Sequence, residues 1–173
     1  NIIIPPGTYW QDVAELNFAN TEMRAEMVRS MQFWITEYGV DGFRCDYVDG
    51  VPDDFWTQTI ASLRAATFQK PLFFLAEGSR DSLVNTMGFD ARYEWGLSTL
   101  IKEIFKGQKQ ATAFFPSASA ARPAHMRFIT NHDESAWNGS VPAQFGSVQA
   151  GLAAFQALAF TGGVPMIYSS QEI

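Results

Sequence analysis

The sequence predicts an α/β fold built on a parallel sheet, and three observations carry that expectation. Strand-like and helix-like stretches alternate along most of the 173 residues at roughly 30 residues per unit, the size of a βαβ module. The run Leu72-Phe73-Phe74-Leu75-Ala76 is almost continuously apolar, as a strand covered on both faces should be. Three predicted strands end in acidic residues, at Asp46, Glu77 and Asp133. In parallel α/β folds ligands sit beyond the carboxyl ends of the strands, so three carboxylates distant in sequence are expected to gather at one mouth.

The elements follow in order. Residues 1–18 show no clear periodicity, with a turn signal at Pro5-Pro6-Gly7. Asn20-Thr21-Glu22 offers a cap for a helix to about Tyr38, whose apolar face is Met23, Met27, Met31 and Trp34 with Val28 and Ile35. These methionines read as core packing. Gly39 stops the helix. Gly39 to Asp46 is a short strand in which Arg44 and Asp46 leave one face and Phe43 and Cys45 the other. A guanidinium beside a carboxylate keeps it ionised and oriented. That suits a reactive aspartate and equally an ordinary ion pair.

Pro52 and Asp53-Asp54 open a helix to about Phe68, with Phe55, Ile60, Leu63 and Ala66 as its apolar positions. A strand from Leu72 to Glu77 follows. Gly88 to Glu94 reads as a short strand or turn, then a helix from about Leu97 to Phe105, then an Ala-, Ser- and Pro-rich loop from Gly107 to Pro123. Met126 to Thr130 is a strand running into Asn131-His132-Asp133-Glu134. A helix from about Ser147 to Phe160 and a strand from Gly163 to Tyr168 complete the order. His125 reads as surface loop and Cys45 as a small core residue.

Composition narrows the function classes. The net charge is -6 and the 12 Lys and Arg form no run, which argues against a nucleic-acid partner. An aromatic fraction of 14% fits a neutral polar substrate such as a sugar. A single cysteine, Cys45, excludes an internal disulfide framework and a cysteine-only metal site. No apolar run approaches a membrane-spanning segment. Residue 1 is Asn with no signal pattern after it, and the chain stops three residues after Ser170. Both ends read as internal to a longer protein, so localisation stays undecided. An incomplete sheet exposes strand edges, so the 173 residues alone are expected to be inactive and aggregation-prone.

Crowded carboxylates push one another's proton affinities apart, which serves glycoside cleavage by a nucleophile and an acid/base. Oxygen-rich sites also hold Mg²⁺ or Ca²⁺. From the residue chemistry alone a glycosidase and a metal-dependent enzyme weigh about evenly.

Three segments carry a resemblance. Gly42-Phe43-Arg44-Cys45-Asp46, Ala76-Glu77-Gly78 and Phe128-Ile129-Thr130-Asn131-His132-Asp133 resemble signature regions of the α-amylase family (glycoside hydrolase family 13), in that family's order. The tail Gly163 to Glu172 is similar to the family's eighth strand, with Ser170 where glycine is common, and Val13-Ala14-Glu15-Leu16-Asn17 matches a further region more weakly.

The resemblance implies a partial (β/α)8 TIM barrel, about strands 4 to 8 with their helices. Residues 1–173 would then belong to a single catalytic domain, with 1–18 ending a preceding inserted loop or small domain. It implies a retaining hydrolase of α-1,4-linked glucans, with Asp46 as nucleophile, Glu77 as acid/base and Asp133 holding sugar hydroxyls at the transition state. Arg44 would orient Asp46, and His132 and Tyr47 would contact substrate. Glu134 and Glu172 are expected to be supporting residues, and Trp95 and Trp137 to pack rather than stack on sugar. Two alternatives stand beside this: a transglycosylase of the same family, and a non-catalytic barrel relative that serves as a binding module. Where many members carry Lys-His after the nucleophile, this chain has Asp49 and Gly50. No metal ligand is therefore assigned, no cofactor is fixed, and Ca²⁺ stays open for the full-length parent. The family's first signature region, Asp-x-x-x-Asn-His, is not among these residues.

Overall fold

The computed structural model describes residue 4 and residues 8–10, 13–66, 70–115 and 124–171. The Pro5–Gly7 turn, the end of the second helix at Phe68, the Pro-rich loop from 116 to 123 and Glu172 lie outside the described residues. The chain divides into two compact units, Asn1–Asp90 and Ala91–Ile173.

In the first unit, α1 runs Thr21–Tyr38. The Asn20 side chain accepts hydrogen bonds from the Glu22 and Met23 amides at 2.9 and 3.1 Å, and Gly39, left-handed at φ 66°, closes the helix. Met27, Val28 and Met31 pack on the core with buried Ile35. Trp34 departs from that face. It is half exposed and stacks with Tyr38 at 4.8 Å, because one face of a helix cannot take residues 31, 34 and 35 equally deep.

β1 (Gly42–Cys45) and β2 (Phe73–Ala76) pair in parallel, Arg44 opposite Leu75 and Cys45 opposite Ala76. Between them α2 (Asp53–Ala65) buries Phe55, Trp56, Thr59, Ile60 and Leu63. Each fully buried Phe or Leu of this set stabilises by about 1.5–3 kcal/mol. A four-residue helix, α3 (Ser82–Asn85), follows β2 and seats Leu83 in the same core. Asp90 ends the unit by accepting the Phe74 amide at 2.7 Å and the Arg64 guanidinium at 2.6 Å.

The second unit is a parallel set of β3 (Ala91–Tyr93), β4 (His125–Arg127) and β5 (Val164–Pro165), with β4 between the other two. α4 spans Trp95–Phe105, α5 His132–Asn138, α6 Val141–Phe145 and α7 Val148–Ala159. Its core joins Leu97, Ile101, Ile129, Phe145, Ala154 and Leu158. α5 and α6 stand where the sequence suggested only strand-end and loop. Asn131 caps α5 by accepting from the Glu134 amide at 2.8 Å, and Asn followed three residues later by Glu is a capping-box pattern that marks such a start. β4 and β5 are shorter than expected, since regular pairing of β4 ends at Arg127.

His125 is corrected by the structure. It is no surface loop residue but is buried on β4 with its Nδ1 against Glu94.

Candidate active site

In the first unit the loop after β1 and the loop after β2 lie side by side. The Glu77 amide donates to the Cys45 carbonyl at 2.9 Å, and the Val48 amide to the Glu77 carbonyl at 3.2 Å. This places the Asp46 and Glu77 side chains on adjacent strand ends. Arg44 makes an ion pair with Asp46 Oδ1 through Nη1 and stands 2.9 Å from Glu77 Oε1 through Nη2. One guanidinium thus spans both carboxylates. The other Glu77 oxygen accepts the Tyr47 amide at 2.8 Å.

The two carboxylates differ in surroundings. The Asp46 side chain is 77% exposed and that of Glu77 17%. Asp46 therefore faces open space, while Glu77 is recessed and held at both oxygens. Cys45 points the other way into the core, and burial pushes its thiol up to about 12, partly opposed by Arg44. It is a packing residue with no thiolate chemistry near neutral pH.

Tyr47 adopts a left-handed backbone at φ 41°, which is unusual for a bulky side chain and concentrates at functional sites. Its ring meets Trp10 edge-on at 4.7 Å and lies over Gly50, where an added Cβ would come within 2.1 Å of Cε1. Glycine at position 50 is thus required by the tyrosine ring. Beside these loops a cleft of about 630 Å³ is lined by residues 15–19, Asp49 to Asp53 and Arg80.

In the second unit His132 and Asp133 form the first turn of α5, downstream of β4, with His132 Nε2 3.2 Å from Asp133 Oδ2 and both side chains about half exposed. Asn131 braces this turn as its cap and is itself buried. Glu134 pairs with Lys102 and accepts from Asn138 at 3.0 Å, a structural placement. Trp95 packs on Tyr93 and Phe128, and Trp137 is 84% exposed.

Two clusters escaped sequence reasoning. Arg80 bonds Asp49 at 2.6 Å and Asp53 at 2.9 and 3.0 Å. Pairs between two loops obey no fixed spacing, so no sequence signal marks this one. The other gathers Arg92, His125 and Arg127 around Glu94, with Arg92 Nη2 at 3.5 Å and Arg127 Nη1 at 3.8 Å from Glu94 Oε2. Burial first, then the Arg92 charge, lower the His125 pKa below its usual value against the opposing pull of Glu94. The neutral imidazole donates from Nδ1. Alternation along β3 and β4 (92, 94; 125, 127) was the available signal for this cluster.

With this geometry in hand, the comparisons fall into place. The model of the α-amylase catalytic domain matches residues 8–72. Over that stretch the chain resembles the α-amylase family. It is 26% identical over 184 aligned residues to α-amylase 3 of Dictyoglomus thermophilum, covering 95% of this chain and 35% of that protein. Among solved structures it matches a maltogenic α-amylase from Thermotoga neapolitana with a TM-score of 0.79 and 27% identity, over 97% of this chain and 39% of that one. An α-amylase from Lactobacillus plantarum matches with a TM-score of 0.77 and 23% identity, over 99% of this chain and 44% of that one. The chain thus spans less than half the length of these relatives. The fold is part of a (β/α)8 barrel, the class expected from the sequence. No helix among the described residues is long and apolar enough to cross a membrane.

Proposed function

We propose that residues 1–173 form part of the single catalytic (β/α)8 domain of a parent protein that hydrolyses α-1,4-linked glucans with retention of configuration. The observation that carries this reading is the guanidinium of Arg44 shared by Asp46 and Glu77. Two carboxyl groups bridged by one guanidinium stand close together, as double displacement requires (~5–5.5 Å between them).

Asp46 is the nucleophile. It is open to solvent and ion-paired with Arg44, so it can attack the anomeric carbon as the glycosidic bond breaks, forming a covalent glycosyl-enzyme. Glu77 donates its proton to the departing oxygen, then takes one from the water that cleaves the intermediate. Formation of the Asp46 ester removes the charge that shares Arg44 with Glu77, so the guanidinium passes to Glu77 as that residue becomes anionic. Asp133 and His132 hold sugar hydroxyls as the ring flattens, and Tyr47 offers its ring edge to the substrate.

The test is turnover of maltoheptaose by the full-length parent. Asp46→Asn and Glu77→Gln should each lower kcat by roughly 10⁴-fold, and the released sugar should keep the α configuration by NMR. Wild-type turnover in either variant would overturn the assignment. Products longer than the substrate would show transfer to a sugar acceptor in place of water.

A further inference from the structure

The loops that carry Asp46 and Glu77 are joined a second time, farther from the carboxylates. Arg80, three residues beyond Glu77, sends its Nε to Asp49 and both terminal nitrogens to Asp53, at 2.6, 3.0 and 2.9 Å. Asp49 lies three residues beyond Asp46, and Asp53 opens α2. The guanidinium therefore ties the loop after β2 to the loop after β1 and to the helix that follows it. A bidentate arginine–carboxylate pair fixes orientation as well as distance. Gly78 shows how closely the two loops are pressed: a Cβ there would lie 2.7 Å from Val48 Cγ2 and 3.2 Å from Asp49 Oδ2.

This clamp also bears on calcium. The acidic groups lining the cleft are Glu15, Asp49 and Asp53. Two of these three are already bonded to a guanidinium, and hydrogen bonding to Arg80 holds the Asp53 carboxyl below its usual range. Among the described residues no group of three or more His, Cys, Asp or Glu is arranged to hold a metal ion. A hard divalent cation takes six to eight oxygens, and here it would meet the charge of Arg80. The donor set does not fit calcium.

We propose that Arg80 is a positioning residue for the Asp46–Glu77 pair, a built-in cation that holds the two loops together at a place where free carboxylates would otherwise draw a divalent cation. The proposal rests on the functional reading above for its kinetic consequence only. The clamp itself is independent of it.

The experiment uses the full-length parent and its Arg80→Ala variant. Misplacing the acid relative to the nucleophile should lower kcat about 10- to 100-fold, while KM for maltotriose stays within about twofold. Guanidinium ion at millimolar concentration should restore part of the lost kcat and leave wild type unchanged, and Arg80→Lys should fall between the two. Wild-type kcat in Arg80→Ala would overturn the proposal, and so would a loss that neither guanidinium nor lysine repairs.

A second readout needs no turnover. Arg80→Ala frees two carboxylates, so its melting temperature should rise with added CaCl₂ more than that of wild type. An equal response in both would overturn the built-in cation. Should Arg80→Ala fail to fold, Asp49→Asn keeps the Asp53 pair and carries the same measurements, with a smaller kcat loss expected. No kcat loss there, together with an unchanged calcium response, would count against the clamp. If the parent cleaves no α-glucan but the calcium response appears in the variant alone, the functional reading fails and the clamp stands.

Discussion

The two units each hold a cluster of arginine and glutamate on parallel strands, and the clusters are built with opposite bookkeeping. In the first, one guanidinium serves two carboxylates, and Asp46 is largely open to solvent. In the second, one carboxylate, Glu94, serves two guanidiniums and an imidazole, and all three partners are at least nine-tenths buried. An excess of exposed carboxylate leaves an anion free to attack or to exchange a proton. The second cluster is sealed from water, and Arg127 also bonds the Gly162 carbonyl at 3.0 Å, so the cluster pins β4 to the turn before β5. The ratio of acid to base and their access to water thus separate the proposed reactive pair from a structural rivet.

The comparison can be broken most directly by neutralising one acid in each cluster. In the parent, Asp46→Asn should abolish turnover, as stated above, while its melting temperature stays nearly unchanged, since an exposed pair contributes ~0–1 kcal/mol. Glu94→Gln should do the reverse. It removes the Glu94 charge from beside two buried arginines and should cost about 3 kcal/mol of stability by denaturant unfolding. A Glu94→Gln protein as stable as wild type would show that the second cluster is no rivet.

A smaller effect comes from pH. The His125 pKa lies below its ordinary value of 6.5 in the fold, chiefly through burial. The unfolded chain then binds the proton more tightly. The His125 contribution is fully present above about pH 6.5 and is lost as pH falls from there through the folded pKa. Arg92, Arg127 and Glu94 all face this imidazole. Replacing His125 with Gln should flatten that part of the stability–pH curve, read by melting between pH 5 and 8 in steps of about half a unit. An unchanged curve would remove His125 from the sealed cluster's ionic balance.

The smallest effect concerns backbone strain, which each unit also carries. Tyr47 in the first stands beside the proposed nucleophile, whereas Ser170 in the second, at φ 61°, has no such neighbour in sequence. Ser170→Gly relieves a left-handed residue at some cost in chain entropy, for a net gain of about 0.5–1 kcal/mol. Melting of the parent should register it as a small rise with unchanged turnover. A drop in stability would mean that the serine hydroxyl has a bond worth more than the strain.

Much of this was readable before any coordinates. Local chemistry gave away α1, because Asn20 caps it and Gly39 ends it by rules that act within a few residues. Parity placed Arg44 beside Asp46 and turned Cys45 inward for the same reason. The apolar run into Glu77 foretold the strand but not its covering, since Phe73 is exposed and only Phe74 and Ala76 of β2 are buried. Contacts between separate segments were hidden. Arg80 finds Asp49 and Asp53 across two loops, a pairing that leaves no period in the sequence, and the alternation of 92, 94 and 125, 127 marks a shared face without saying that His125 meets Glu94 across neighbouring strands. α5 was hidden differently: Asn131 to Glu134 carries both a cap signal and a strand-end signature, and the second was easier to see. Ser170 shows the converse, since its left-handed φ supplies the physical reason why glycine suits that position.

One further consequence lies in the bond from the Tyr47 amide to Glu77. It belongs to the main chain, so exchanging the side chain at position 47 leaves the donor in place. A scan by alanine would report on the tyrosine ring and pass over the tether entirely. Only proline, which lacks the donor and cannot take a positive φ, or an ester in place of the amide would cut it. The proposed acid/base residue is therefore steadied by a part of the molecule that ordinary sequence drift cannot reach.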